Sequence, residues 1–149
     1  MGLASLNNLY REIVLEHAQY PQNKGSLPKA THEQTLHNPT CGDTITVQLQ
    51  IQDNKVIQAC FSGQGCSISQ ASASILTEVV QGHSVDDCRH MVTAFSDLVI
   101  GQEIEPADEQ LLGDAAILGS VAQFPTRIKC ATLAWKALYQ AIGATEEGR

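Results

Sequence analysis

The sequence predicts an α+β fold, a small antiparallel β-sheet packed with several α-helices. Apolar and polar residues alternate over Ile45–Ile51, which is the period of a strand with one buried face. After Ser67 the apolar residues recur instead at intervals of three and four, which is the period of an amphipathic helix. The two patterns occupy separate parts of the chain, and the sheet is therefore expected to be flanked by helices.

One helix and one hairpin are predicted in the N-terminal half. The helix ends before Pro21, and the connection after it has one short edge strand over residues 35–37. The alternating strand, a turn over residues 53–55 and a second strand over residues 56–62 form the hairpin. The first helix is predicted from the helical spacing of Leu6, Leu9, Ile13 and Val14.

Two helices with N-terminal capping residues follow the hairpin. The first spans Ser67–Gln81, and its opening letters SISQ match the capping box, in which Ser and Gln side chains satisfy free amides. The second ends at Val99, with Ser84 as its predicted N-cap and Asp87 as its third residue. Each of the two helices has an apolar stripe along one face.

Two more helices are predicted toward the C-terminus. One spans Asp108–Gln123 and is rich in Leu and Ala, and Pro125 ends it. The last spans Thr126–Ile142, and residues 143–149 are predicted to be a frayed tail. The chain 1–149 is predicted to be a single domain, because 149 residues with 43% hydrophobic content suit one core.

Composition excludes several classes of partner. The formal net charge of −7 repels nucleic acid and anionic membrane surfaces, so neither is expected to bind. No apolar stretch approaches the roughly 20 residues of a membrane span, and the N-terminus lacks the apolar run of a signal peptide. We therefore expect a cytoplasmic protein. Its five cysteines, an odd number without an export signal, favour thiol or metal chemistry over a disulfide framework.

Cys130 is a candidate functional cysteine near the start of the last helix. It lies two residues after Ile128, about 200° around the helix axis, and so points away from the apolar stripe. Arg127, three residues before it, falls on the same face and can hold a positive charge near the sulfur. These facts leave a nucleophile and a metal ligand both open.

Two further segments place reactive groups at element boundaries. In NPTCGD, Cys41 and Asp43 share one face of the following strand if extended backbone reaches back this far; an ordinary turn is the alternative. In GQGCSISQ, Cys66 stands before a helix whose free amides favour a thiolate, and the glycines allow close approach of another backbone segment. The alternative there is that the glycines only turn the chain.

Cys60 and Cys88 are predicted to be small core residues rather than functional thiols. Cys60 lies inside a predicted strand next to Phe61, and Cys88 lies on the apolar stripe of its helix. The two cysteines therefore serve as internal controls for the other three.

Cys41, Asp43, Cys66 and Cys130 together have the composition of a tetrahedral metal site assembled by tertiary folding. Thiolates and a carboxylate suit Zn²⁺, and three sulfurs also suit an iron-sulfur cluster. The spacing of the four residues is not the local C-x₂-C pattern of a zinc finger. The residues alone therefore indicate a metal site without identifying the metal.

The segments NPTCGD, GQGCSISQASAS and RIKCATLAW, in this order, resemble the U-type iron-sulfur assembly proteins, the IscU and NifU N-terminal family. The resemblance extends from the first helix to the last and is closest to the SufU branch. It implies the IscU-like fold, and it implies that Cys41, Asp43, Cys66 and Cys130 are the metal ligands. It also implies that Arg127 lies beside them and steadies Asp43 or a thiolate.

Two features distinguish this chain from the scaffold-type IscU branch. Lys129 stands where that branch has a histidine before the third cysteine, and a longer segment after Pro106 separates Cys66 from Cys130. Both features resemble SufU. They therefore put a scaffold function in doubt.

By this resemblance the chain is expected to be a zinc-dependent sulfurtransferase. SufU proteins accept sulfane sulfur from a SufS-type cysteine desulfurase, a pyridoxal-phosphate enzyme, and pass it towards a downstream iron-sulfur assembly scaffold. The implied mechanism is ligand exchange, in which a desulfurase group takes a place on Zn²⁺ and Cys41 is released as the nucleophile. The alternative is a scaffold that assembles and transfers a [2Fe-2S] cluster.

Overall fold

The computed structural model of the protein describes the backbone of residues 3–40 and 42–147 and the side chains of residues 8–40 and 42–143. Within these ranges a three-stranded antiparallel sheet packs with five α-helices, which confirms the predicted α+β class. The elements in chain order are α1 (Leu3–Gln19), β1 (His32–Asn38), β2 (Asp43–Gln52), β3 (Lys55–Gln64), α2 (Ser67–Val80), α3 (Val85–Val99), α4 (Pro106–Leu112) and α5 (Ile128–Glu147).

The sheet is a meander in the order β1-β2-β3. β2 and β3 are joined at Asp53 and Asn54, which both adopt positive φ, as a tight two-residue hairpin turn requires. The alternation predicted for β2 is present, because Ile45, Val47 and Leu49 are buried while the residues between them are partly exposed. One face of the sheet therefore belongs to the core and the other is polar.

α5 is the central helix of the fold. It packs against β1 and β2 on one side and against α2 and α3 on the other, and every residue from Cys130 to Trp135 is buried. Trp135 stacks on Phe95 with a centroid distance of 4.3 Å and donates a hydrogen bond from Nε1 to Ser72 Oγ at 3.0 Å. The Ser72 hydroxyl in turn donates to the carbonyl oxygen of Ala131 at 2.6 Å. This chain of bonds fixes α2 against α5.

α1 buries a face that differs from the predicted one. Tyr10, Val14 and His17, at intervals of four and three, are buried, whereas Leu9 is 37% exposed. The Nδ1 atom of His17 lies 2.7 Å from a buried serine hydroxyl of α2, so this polar residue is satisfied. The predicted stripe is therefore wrong at Leu9, and the side chain of Leu6 lies outside the described residues. Apolar spacing alone could not show that Tyr and His rings form the buried stripe.

The single helix predicted over Asp108–Gln123 is wrong. α4 ends at Leu112, and the chain from there to Gln123 forms a 3₁₀ helix. Ala115, Leu118 and Val121, at intervals of three, are its buried residues. Side chains three apart eclipse in a 3₁₀ helix, so this spacing puts all three on one face against the core.

One of the two predicted N-caps is present. Ser84 accepts a hydrogen bond from the Asp87 amide at 3.0 Å, which confirms the predicted cap of α3. The capping box predicted for α2 is wrong, because Cys66 occupies the N-cap position and no side chain makes a cap bond there. The carbonyl oxygen of Cys66 instead accepts from the Ser69 hydroxyl at 3.0 Å.

α5 differs from its prediction at both ends. A 3₁₀ turn, Pro125–Arg127, precedes it, so the α-helix begins at Ile128 rather than Thr126. It extends to Glu147, past the predicted end at Ile142, because Gly143 continues the helix instead of ending it. Neither α5 nor any other helix in the described ranges combines the length and the apolar character that crossing a membrane requires.

Ser72→Ala is expected to lower the free energy of unfolding by about 1–3 kcal/mol, because Trp135 Nε1 is then buried without its acceptor. The measurement is urea unfolding followed by the fluorescence of Trp135, the one tryptophan in the sequence. Ser67→Ala is the matched control: Ser67 is exposed in the same helix, and its loss should cost no more than about 0.5 kcal/mol. Equal losses in the two variants would contradict the role given to Ser72.

Candidate metal centre

Three residues far apart in the sequence each bring one ligand atom to the same place. Asp43 begins β2, Cys66 directly precedes α2, and Cys130 lies in the first turn of α5. A carboxylate oxygen of Asp43 and the two Sγ atoms all lie within 4.8 Å of one another. They are three of the four ligands predicted from the sequence; the fourth, Cys41, lies outside the described residues.

The pairing of β2 with β3 brings Cys66 to Asp43. Thr44 pairs with Gln64, the last residue of β3, so the chain leaves the sheet beside the start of β2. There the amide of Cys66 donates a hydrogen bond to Asp43 Oδ1 at 2.9 Å. The bond holds the carboxylate at the N-terminus of α2, where the helix dipole also favours a negative charge.

Two glycines make this close approach possible. Gly63 has a φ of +118°, and a Cβ atom there would overlap the carbonyl oxygen of Thr44. A Cβ atom on Gly65 would overlap both Oδ1 of Asp43 and the hydroxyl of Ser69. The letters GQG before Cys66 are therefore required by the packing of the Asp43 carboxylate and its strand, not only by the turn.

Cys130 is completely buried but does not belong to the hydrophobic core cluster. Its sulfur faces the end of β1, where the buried Asn38 side chain donates from Nδ2 to Sγ at 3.9 Å. The helix geometry that turned Cys130 away from the apolar stripe of α5 agrees with this position. The face is buried nonetheless because β1 packs against it.

The donor atoms fit a zinc ion. In tetrahedral coordination by sulfur and carboxylate oxygen, neighbouring ligand atoms are about 3.5–3.8 Å apart, which is compatible with the 4.8 Å limit observed. Asp43 is 1% exposed, and its Oδ2 has no hydrogen-bond partner among the described residues. A buried carboxylate oxygen without a donor is costly, and a cation beside it removes that cost.

Comparison with known proteins identifies the family of this site. The family described as the NifU-like N terminal domain matches residues 9–131. The chain belongs to this family. The resemblance to U-type iron-sulfur assembly proteins, which the three cysteine segments carried, is thereby confirmed.

Two relatives match the NifU-like chain over nearly its whole length. The iron-sulfur cluster assembly scaffold protein IscU of Streptococcus pyogenes serotype M1 is 44% identical over 142 residues, covering 95% of this chain and 87% of that protein. The zinc-dependent sulfurtransferase SufU of Bacillus subtilis is 42% identical over 145 residues, covering 97% and 96%. The two relatives have nearly the same sequence identity to this chain, but their names give different roles, a scaffold protein and a sulfurtransferase.

A solved structure shares the NifU-like fold. It is the crystal structure of a candidate iron-sulfur cluster assembly scaffold protein for the SUF system from Fervidobacterium islandicum, and it superposes with a TM-score of 0.83 at 27% identity. The match covers 95% of this chain and 99% of that one. Iron-sulfur cluster assembly is named for the Streptococcus protein and for the Fervidobacterium protein, whereas the Bacillus protein is named a zinc-dependent sulfurtransferase.

Sequence reasoning missed one residue of the NifU-like site, Tyr10. It is 6% exposed, its ring stacks on Phe124 at 6.2 Å, and its hydroxyl has no hydrogen-bond partner among the described residues. Burial raises the pKa of the Tyr10 hydroxyl, Arg127 lowers it in part, and the nearby Cys66 and Cys130 raise it. Tyr10 therefore contributes a buried, protonated hydroxyl from α1 to the surroundings of the sulfurs. The one sequence signal for its burial is its four-residue interval from Val14.

Two cationic residues close to Cys130 in the sequence are exposed in the structure. Arg127 is exposed in the 3₁₀ turn before α5, and its charge acts on the same surroundings as the sulfurs. Lys129 is exposed beside Cys130. His37, four residues before Cys41, is exposed on β1, and its Nδ1 lies 3.0 Å from Thr44 Oγ1.

The two control cysteines differ from each other. Cys88 is completely buried in the core, as predicted, and burial followed by the charge of Asp87 raises its pKa to about 12. Cys60 lies on the polar face of the sheet and is only half-buried, because Ala59 and Phe61 occupy the core face of β3. The prediction that Cys60 is a core residue is therefore wrong. Both remain outside the group of ligand atoms formed by the described residues.

Gly65→Ala is expected to lower the affinity for Zn²⁺ by about 10- to 100-fold, because the added methyl group displaces the carboxylate of Asp43. Competition with a chromophoric zinc chelator measures the affinity, and circular dichroism checks the fold. Gly143→Ala is the matched control, because Gly143 lies in α5 with no atom within 4 Å of the added Cβ. If both variants bind zinc as tightly as the wild type, Gly65 does not position a metal ligand.

Proposed function

We propose that this chain is a zinc-dependent sulfurtransferase, which accepts persulfide sulfur from a SufS-type cysteine desulfurase for iron-sulfur cluster assembly. Asp43, Cys66 and Cys130 hold Zn²⁺ together with Cys41, and Cys41 accepts the sulfur. The similarity to the SufU protein of Bacillus subtilis supports this activity, since 42% of residues are identical over 97% of the chain.

The observation that carries the choice of activity is Lys129. This position is a histidine in the scaffold-type branch of the family, and here it is an exposed lysine beside Cys130. A protonated lysine has no lone pair to give a metal, so this chain lacks the imidazole donor of the scaffolds. The ligand group formed by the described residues likewise contains no histidine.

The presence of an aspartate argues against a purely structural zinc site. Structural sites are closed by four cysteine or histidine ligands, because these bind zinc tightly. Asp43 offers a harder oxygen donor, and it is held by backbone at the N-terminus of α2 rather than by its own loop. Such a mixed set suits a site in which one ligand has to be released.

Zinc, when bound, supplies a positive charge that keeps the coordinated thiols deprotonated near neutral pH. The Cys41 thiolate attacks the outer sulfur of the desulfurase persulfide. The bond between the two desulfurase sulfurs breaks, its electron pair stays on the desulfurase cysteine, and Cys41 becomes the persulfide. The step needs no external oxidant or reductant.

Position in the chain favours Cys41 as the acceptor over the other two cysteines. Cys130 is completely buried, and Cys66 is half-buried as the N-cap of a helix, with its amide bonded to Asp43. Cys41 lies in the connection between β1 and β2, and its neighbours on both sides, Thr40 and Gly42, are exposed. A partner enzyme can therefore reach this part of the chain without unfolding a helix.

Arg127 is proposed as a positioning residue. Its charge acts on the same surroundings as Cys66 and Cys130, through its effect on Tyr10. A fixed cation there steadies the Asp43 side chain or a ligand sulfur while Cys41 reacts.

A second candidate function is a scaffold that assembles and transfers a [2Fe-2S] cluster. The similarity to the IscU protein of Streptococcus pyogenes favours it, at 44% identity over 95% of the chain. Three thiolates and a carboxylate also suit iron bound with sulfide. The two functions differ in the metal that the purified protein contains and in its effect on a desulfurase.

The protein purified without oxygen is expected to contain about one zinc per chain and to increase the turnover of a SufS-type desulfurase. Metal analysis and the release of sulfur from labelled cysteine test the two parts separately. Iron with acid-labile sulfide, and no increase in desulfurase turnover, would support the scaffold function instead.

Cys41→Ala is expected to abolish transfer of labelled sulfur to the chain, because no other accessible thiol is proposed to react. Cys60→Ala and Cys88→Ala are the controls and should retain nearly all of the label. Cys60 is the sharper control, because it is half-buried rather than inaccessible. Equal losses in all three variants would show that the label does not report a specific acceptor.

A further inference from the structure

We propose that a cavity between the end of β1 and α5 binds a small acidic thiol, which takes the sulfur from Cys41. The inference rests on the proposed function and adds to it the chemical class of the acceptor. The cavity has a volume of about 300 Å³. Leu36, Pro39 and Thr40 line it from one side, and Lys129, Leu133 and Lys136 line it from α5.

The cavity adjoins the metal centre. Asn38 forms part of its wall and also donates its side-chain amide to the sulfur of Cys130 at 3.9 Å. Pro39 and Thr40 are the residues immediately before Cys41 in the chain. A molecule bound in the cavity therefore lies against the segment that carries the proposed sulfur acceptor.

The charged side chains that line the cavity are positive, in contrast to the chain as a whole. The chain has a net charge of −7, but the described residues of the lining include two lysines, Lys129 and Lys136, and no Asp or Glu. Lys129 and Lys136 are exposed at the cavity, and neither forms an ion pair with a described carboxylate. Lys136 also lines a second cavity, together with Asp97 of α3. The lysines thus favour a ligand with carboxylate groups.

The size and the walls of the cavity favour a small molecule. About 300 Å³ is the lower limit of ordinary small-molecule sites and is too little for more than a short side-chain segment of a protein. Leu36, Pro39 and Leu133 give apolar contact to a carbon skeleton, while the lysines contact its carboxylates. Thiolates accept sulfane sulfur by attack on a persulfide, and these walls add the requirement that the thiol be acidic.

The transfer is balanced without a further reactant. The acceptor thiolate attacks the outer sulfur of the Cys41 persulfide, and the bond between that sulfur and Cys41 Sγ breaks. The electron pair stays on Cys41 as a thiolate, and the acceptor leaves as its own persulfide. Cys41 is then ready for another sulfur from the desulfurase.

Binding is tested first, without any reaction. The S-methyl ether of mercaptosuccinate, a diacid that cannot accept sulfur, is titrated into the zinc-loaded protein by calorimetry. Saturable binding is expected, and its affinity should fall about five- to tenfold in Lys136→Gln and decrease as salt is added. Lys29→Gln is the matched control, because it removes the same charge at an exposed position outside the cavity. No binding, or equal weakening in both variants, overturns the proposal whether or not the protein transfers sulfur.

Transfer is tested on protein already labelled with sulfur by the desulfurase, so that loading is measured separately. The rates at which labelled sulfur is released to mercaptosuccinate and to the neutral 2-mercaptoethanol are compared. Each rate is divided by the rate at which the same thiol reacts with a small persulfide in solution, which corrects for the reactivity of the thiol itself. The release rate is expected to saturate with mercaptosuccinate but not with 2-mercaptoethanol. In Lys136→Gln the half-saturating concentration of mercaptosuccinate is expected to be higher. Failure to load sulfur refutes the proposed function but leaves the binding test valid. The small acidic acceptor is refuted if the release rate rises linearly with the concentration of both thiols. It is also refuted if Lys136→Gln affects only the transfer of sulfur to a partner protein.

Discussion

The carboxylate of Asp43 is held almost completely out of water at the start of β2, with one oxygen bonded to the amide of Cys66 and the other without a hydrogen-bond donor among the described residues. A buried anion is tolerated only where charge or hydrogen bonds compensate its lost hydration. The position of Cys66, the glycines before it and the start of α2 all follow from this one contact. The unpartnered oxygen is the strongest indication that a cation belongs beside Asp43.

The layers of the fold supply the remaining parts of the site. α5 packs against both the sheet and α2, and its first turn brings the Cys130 sulfur to Asp43 at the start of β2. Hydrogen bonds between Trp135, Ser72 and Ala131 fix α5 to α2 deep in the core. Asp43 and Cys130 therefore lie within a strand and a helix, and Cys66 is the N-cap of α2. Under the proposed function these three residues keep their places on zinc while the fourth ligand, Cys41, reacts.

Local pattern was sufficient wherever one interaction decided the structure. The alternation through Ile45 placed Asp43 on the core face, and Ser84 capped α3 as its letters indicate. The local sequence pattern predicted the wrong structure where two conformations suit the same pattern and tertiary packing determines which one forms. The interval of three from Ala115 to Val121 suited a 3₁₀ helix as well as an α-helix, and the capping box at Ser67 was displaced because Cys66 occupies the N-cap position beside Asp43.

The sequence by itself determined the fold class, the four predicted ligand residues and the family, because these depend on periodicity and on the identity of letters in order. Only the tertiary structure decided that Asp43, Cys66 and Cys130 share one point, that Tyr10 faces their surroundings, and that the lysines of α5 line a cavity. These facts depend on the angles and register at which separate elements pack. Packing is a sum of many weak contacts between distant residues, and no short segment of the chain contains it.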